Sequence, residues 1–263
     1  MADVVTVDME ALQRCVRVLL VANVPGALWG APGGGKTAVV EQIAASLKTP
    51  EPEGGSWRLF TLILSLLEQS DLSGTPYPDT MDGGRRIARY LPPACLPLQE
   101  IHGDIHSVLF LDEFDRAEPG LQNSSLQLLS QRQVHDKPLS NNCRILLAGN
   151  GTTDSLTFGL SEAACTRMCH LYIDNRADNT LRSWQRWATA NDVHPAARAF
   201  TEYRWPLFHT EDEAAKYREN ARLNRRTVTM ASQVLADRVV WSAARDREVP
   251  GGGLQARGPR VLQ

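Results

Sequence analysis

The chain has 263 residues, enough for one large α/β core with a smaller appended domain, because single cores stop growing near roughly 250 to 300 residues. Hydrophobic residues make up 43% and charged residues 22%, which excludes a disordered or fibrous chain. A formal net charge of -2 with dispersed basic residues gives no electrostatic footprint for nucleic acid or anionic membrane.

From the N-terminus, Met9 to Ala22 predicts an amphipathic helix, with Leu12, Val16, Leu19 and Leu20 at helical spacing. Gly26 to Trp29 is a short apolar run entering a glycine-rich turn, and Thr37 to Leu47 again has helical periodicity. Leu59 to Leu64 reads as a second strand, followed from Glu68 to Pro93 by a polar, proline-bearing excursion that predicts a short helix or hairpin. Val108 to Leu111 is a buried-strand signal, Pro119 to Gln131 is helical, and Gln133 to Asn142 carries the turn residues of a small hairpin. Arg144 to Ala148 is a further strand, and strands alternating with helices imply a parallel sheet. After Asp174 the strand signals stop. Trp184, Trp187, Pro195, Trp205 and the stretch Thr227 to Arg245 predict three or four helices, with the tryptophans as their core, and the tail from Pro250 is expected to be mobile.

No segment approaches ~20 uninterrupted apolar residues and the first residues lack a basic patch followed by an apolar stretch, so a cytoplasmic location is expected. Five cysteines in a chain of this size are expected to be reduced thiols. Cys165, Cys169 and His170 would lie one turn apart on a helix, yet a zinc site needs about four ligands and no fourth is evident. His102 and His106, the one pair of histidines at i, i+4, lack an accompanying glutamate motif and are expected at the surface or in caps.

Gly30-Ala31-Pro32-Gly33-Gly34-Gly35-Lys36-Thr37 has the spacing of a phosphate-binding loop, with a strand before it and a helix after it. Glycines let backbone N–H groups turn inward around phosphate oxygens, the helix offers its positive end, Lys36 meets the β and γ phosphates and Thr37 ligates magnesium. Val108 to Glu113 adds a strand that delivers two carboxylates at its C-terminal end, where ligands of open α/β sheets bind. Asp112 is expected to hold Mg²⁺ directly or through water, and Glu113 to be the general base for the attacking water. The expected ligand is ATP with Mg²⁺, and the expected reaction is hydrolysis to ADP and phosphate.

These residues resemble the AAA+ superfamily, and more narrowly its MoxR-like, dynein-related branch. The resemblance rests on GAPGGGKT at 30–37, LDEFDRA at 111–117, LQNSSLQLLSQRQV at 121–134, ILLAGN at 145–150 and SEAACTRM at 161–168. It implies a three-layer αβα P-loop NTPase core over residues 1–175, a helical lid over 176–249 and a flexible tail over 250–263. It also implies that Asn150 is the sensor 1 residue that orients the lytic water, and that Arg167 is the arginine finger for a neighbouring subunit. Arg116 is an alternative residue acting in trans. A sensor 2 arginine is expected at Arg225 or Arg226, with Arg226 preferred. The hairpin from Gln133 to Leu139 and the excursion around Pro76 to Pro93 would contact a client at a pore.

By the same resemblance the chain assembles into a homohexameric ring that remodels a protein client, with a von Willebrand factor A domain protein as the expected partner. Two other classes share much of this pattern. A nucleic-acid motor or loader has the same ATPase core and differs in what its loops hold. An ATP-gated scaffold with little turnover would not need both Glu113 and Asn150. Small-molecule kinases carry the same loop but rarely the acidic pair, sensor asparagine, interface arginine and separate lid in this order.

Overall fold

The computed structural model describes residues 6–49, 55–151, 160, 162–173, 177–203 and 227–236. In chain order the elements are β1 (Thr6–Val7), α1 (Met9–Ala22), β2 (Gly26–Trp29), α2 (Lys36–Ser46), β3 (Arg58–Ile63), α3 (Gln69–Ser73), β4 (Thr75–Thr80) and β5 (Arg86–Leu91). They continue with α4 (Gln99–His102), β6 (Ser107–Asp112), α5 (Pro119–Gln131), β7 (Gln133–Val134), β8 (Lys137–Pro138), β9 (Cys143–Gly149), α6 (Glu162–Cys165), β10 (Cys169–Ile173), α7 (Ala177–Ala190) and α8 (Pro195–Tyr203). Each helix and strand expected before residue 150 is present, with ends that differ by a residue or two.

One six-stranded sheet, in the order β1-β10-β2-β9-β6-β3, organises the core, and every pairing in it is parallel. Its inner strands are buried on both faces, which is why GALW, SVLFLD and CRILLAG read as nearly continuous apolar runs. Strand alternation sorts their side chains into two cores. Leu28, Val108, Phe110, Leu146 and Ala148 pack with Leu12, Val16 and Leu20 of α1 and with Val39, Val40 and Ile43 of α2. On the opposite face Ala27, Leu109, Leu111, Ile145 and Leu147 pack with Leu72 of α3 and with Leu121, Leu128 and Leu129 of α5. Helices on both faces of a parallel sheet are the three-layer αβα architecture.

Local chemistry sets the helix ends. Asp8 caps α1, its Oδ1 accepting the Ala11 N–H at 2.7 Å, and Asn23 closes the helix in the left-handed region at φ 55°. Pro119 sits in the first turn of α5, where its missing N–H costs no intrahelical bond. Cys143 is fully buried at the start of β9, and that burial pushes its thiol pKa up.

Two features depart from the sequence reading. Strands β1 and β10 extend the sheet beyond β2, although neither Thr6–Val7 nor Cys169–Ile173 was anticipated. β1 is a two-residue edge strand, and β10, which lies between it and β2, has only Ile173 buried, so neither carries the continuous buried apolar run of the central strands. The helical placement of Cys165, Cys169 and His170 also fails, because α6 ends at Cys165 while Cys169 and His170 lie on β10. Both proposed excursions are antiparallel hairpins, β4–β5 and β7–β8.

The chain divides into two compact units, Met1–Trp184 and Gln185–Gln263, with the division falling inside α7. The described part of the second unit is helical, comprising the end of α7, α8 and residues 227–236. Within it the His194 N–H donates to the Ser232 Oγ at 2.7 Å, and Ala188, Val193, Ala197 and Val228 are buried. Trp205, the rest of the expected 227–245 helix and the tail from residue 250 lie outside the described residues.

Candidate functional site

The site is built where the central strands end. β2 finishes at Trp29, and the chain then turns through residues 30–35 into α2, with Gly33 at φ 73° and Gly35 at φ 90°. These are left-handed torsions that side chains disfavour. Gly34 is required for space instead, since a Cβ there would sit 2.9 Å from the Ala31 carbonyl oxygen. Helix α2 begins at Lys36 with no side-chain cap on its N-terminus, so its positive end faces the loop.

Lys36 is the one buried lysine among the described residues, 7% exposed, and its ammonium group is fixed from three sides. It donates to the Gly30 carbonyl at 2.7 Å, the Ala31 carbonyl at 3.1 Å and the Asn150 Oδ1 at 3.1 Å. The Gly30 N–H in turn reaches the Gly149 carbonyl at 3.3 Å, which ties the loop to the end of β9. One residue on, the Thr37 hydroxyl donates to Asp112 Oδ2 at 2.9 Å, joining the start of α2 to the end of β6. Asp112 also accepts the Glu113 N–H through Oδ1 at 2.9 Å.

Lys36, Thr37, Asp112 and Asn150 are therefore brought together from separations of 114 residues for Lys36 and Asn150 and 75 for Thr37 and Asp112. Gly30 contributes its carbonyl, Gly33, Gly34 and Gly35 shape the turn, and Pro32 is exposed on its outer side. The donor set, a hydroxyl and a carboxylate in contact, suits a hydrated hard cation. The uncapped helix end and the buried ammonium suit a polyphosphate.

Glu113 stands beside this cluster but faces a different partner. It adopts φ 54°, a left-handed torsion, at the join between β6 and the 3-10 turn Phe114–Arg116. Its Oε2 accepts a short hydrogen bond from the Ser65 hydroxyl, and its Oε1 lies 3.8 Å from Arg116 Nη1. Ser65, in the turn that follows β3, was not singled out from the sequence, where a lone serine after an apolar strand carries no signal. In the sequence Asp115 is one acid among the residues of LDEFDRA, and in the fold it is 2% exposed and its Oδ2 accepts the N–H groups of both Asn150 and Gly151.

Of the expected arginines, Arg167 is exposed just after α6 and is occupied within its own chain, donating through Nε to the Ser130 Oγ and through Nη1 to the Ala163 carbonyl, each at 2.5 Å. Arg225 and Arg226 lie outside the described residues. Behind the phosphate loop, Trp29 Nε1 donates to His170 Nδ1 at 2.8 Å, and the other ring nitrogen of His170 lies 2.8 Å from the Cys165 carbonyl. The two hairpins meet in an aromatic stack of Tyr90 on His135, centroids 3.9 Å apart. No helix among the described residues is long and apolar enough to cross a membrane.

The chain is similar to known proteins in sequence over one stretch and in fold. Residues 27–149 match the AAA domain (dynein-related subfamily). The fold is similar to that of the Thermotoga maritima RuvB Holliday junction branch migration motor, with a TM-score of 0.50 at 17% identity over 90% of this chain and 64% of that one. NtrX from Brucella abortus in complex with ADP gives a TM-score of 0.50 at 17% identity over 85% of this chain and 48% of that one. The chain thus spans between about half and two thirds of these structures. No curated protein matches it.

Proposed function

We propose that this chain is an AAA+ ATPase, a family whose members generally hydrolyse ATP and commonly assemble as rings, and that it binds MgATP and hydrolyses it to ADP and phosphate; the match of residues 27–149 to the AAA domain (dynein-related subfamily) supports this reading. The observation that carries this reading is the Thr37 hydroxyl meeting the Asp112 carboxylate at 2.9 Å, beside an uncapped helix N-terminus and the buried Lys36 ammonium.

In this reading the loop amides and Lys36 hold the β and γ phosphates, giving up the carbonyl contacts that fix the ammonium now. Thr37 and Asp112 would hold Mg²⁺, which when bound neutralises charge on the phosphate oxygens. Asn150, already bonded to Lys36, orients the water at the γ-phosphate end. Glu113 takes a proton from that water as its oxygen attacks phosphorus and the bond to the ADP oxygen breaks. Ser65 and Arg116 occupy Glu113 at present, so base action requires the Ser65 bond to open.

The finer reading is MoxR-like: a homohexameric ring in which Arg167 leaves Ser130 and Ala163 to serve the neighbouring site, Arg226 contacts the γ-phosphate, and the hairpins engage a protein client, a von Willebrand factor A domain protein being the expected class. The dynein-related family match and the presence of two hairpins outside the six-stranded sheet support it. The test compares wild type with Glu113→Gln. Phosphate release should fall while ATP stays bound, and affinity purification of Glu113→Gln with ATP should retain a protein. Unchanged phosphate release removes the base assignment, and recovery of nucleic acid alone removes the protein client.

A further inference from the structure

We propose that Asp115 is a positioning residue that sets Asn150, and through it the water-orienting end of the site, an inference that rests on the ATPase reading above. Asp115 follows Glu113 by two residues, in the 3-10 turn at the end of β6, and reaches across to the strand beside it. The parallel ladder between β6 and β9 stops at the pair Leu111↔Leu147. Beyond that point the sheet supplies no acceptor on this side for the N–H groups of Asn150 and Gly151. One oxygen of Asp115 supplies it to both, at 2.8 Å and 2.9 Å.

Space for that carboxyl group exists because residue 149 is glycine. A Cβ at Gly149 would lie 2.7 Å from Asp115 Oδ1 and 2.4 Å from Trp29 Cζ3. Gly151 adopts φ 80°, a left-handed torsion that glycine takes without steric cost. With its backbone clamped, Asn150 holds its side-chain oxygen 3.1 Å from Lys36 Nζ. A turn held purely for folding would satisfy both carboxyl oxygens, but Asp115 Oδ1 is buried without a hydrogen-bond partner among the described residues. A buried orphan acceptor costs stability, so the residue is better explained by where it puts Asn150 than by what it adds to the fold.

The test uses the full chain and compares wild type, Asp115→Ala, Asp115→Asn, Asn150→Ala and the double substitution of both positions by alanine. Asp115→Ala should lower kcat about 100-fold with KM for ATP changed less than about threefold, the scale expected when a reacting group is misplaced by about an ångström. Asp115→Asn, whose amide oxygen still accepts, should recover at least about tenfold of that loss by keeping the positioned geometry. The double variant should be no slower than Asn150→Ala, because two residues acting as one unit are not additive.

Multiplying effects in the double variant, parallel loss of kcat and nucleotide affinity, or an asparagine variant no better than alanine would each overturn the proposal. Should Asp115→Ala not fold, Asp115→Asn alone and combined with Asn150→Ala carries the same comparison. If wild type hydrolyses no ATP, the ATPase reading fails on its own. Amide hydrogen exchange at Asn150 and Gly151 then decides the clamp: faster exchange in Asp115→Ala than in wild type supports it, and unchanged exchange rejects it.

Discussion

The end of the sheet that carries Lys36, Asp112 and Asn150 and the pair of hairpins β4–β5 and β7–β8 are built on different terms. At the sheet end Asp112 closes β6, Asn150 follows β9 and Lys36 opens the helix after β2, so each position is inherited from strands buried in a packed core. Hydrogen bonds then cross-link these exits: Lys36 to Asn150, Thr37 to Asp112, Asp115 to Asn150. In the hairpin β4–β5 nearly every residue is exposed. Its attachments include the stack of Tyr90 on His135 and, within the hairpin, the Arg89–Asp79 ion pair at 2.7 Å. Exposed ion pairs contribute little. Chemistry that must hold distances to within ~0.5 Å belongs on the first kind of scaffold, and surfaces that meet variable partners belong on the second.

Substitutions can break or sharpen this contrast. The largest effect is expected from Lys36→Ala, which removes a buried cation and the contact to Asn150. ATP turnover should fall by about a thousandfold or more, the upper range for removing a single preorganised donor, with nucleotide binding lost in a fluorescence titration. Glu113→Gln comes next, with kcat lower by about 10² to 10⁴-fold, the span of general base catalysis, and ATP affinity retained.

Two glycines then compare the regions directly. Gly149→Ala forces a Cβ to 2.4 Å from Trp29 and should cost about 1–3 kcal/mol in denaturant unfolding, with turnover reduced as well. Gly83→Ala, in the turn joining β4 and β5, meets nothing within 4 Å and carries only the penalty of φ +90°, about 1–2 kcal/mol, with turnover unchanged. The smallest effect is expected from Tyr90→Ala, about 0.5–1.5 kcal/mol from the lost stack. A loss of ATP turnover in that variant matching that of Glu113→Gln would show that the hairpins and the sheet end are not independent.

The same contrast explains what could be read in advance. The phosphate loop, the strand ending in Asp112-Glu113 and the strand ending at Asn150 announce themselves, because continuous apolar runs followed by glycine or acid are local patterns. Their approach to one another follows from parallel pairing. Ser65 and Asp115 were illegible for the opposite reason. Their roles depend on which backbone or side chain lies across the sheet, 48 residues away for Ser65 and Glu113 and 35 for Asp115 and Asn150. The strand β10 carries too weak a pattern to be read, because in five residues with cysteine, histidine and tyrosine among them only Ile173 is buried. The pairing of Tyr90 with His135 joins two insertions whose sequences show turns but not which turn meets which.

One consequence follows from the torsion of Glu113. A glutamate at φ 54° sits in a region that glycine occupies freely, so the residue assigned as the base is also a point of stored backbone strain. Glu113→Gly should therefore melt at a higher temperature than wild type while being unable to turn over. A screen for heat resistance alone would enrich that dead variant, and the native glutamate is intelligible only if what the chain is kept for is work and not endurance.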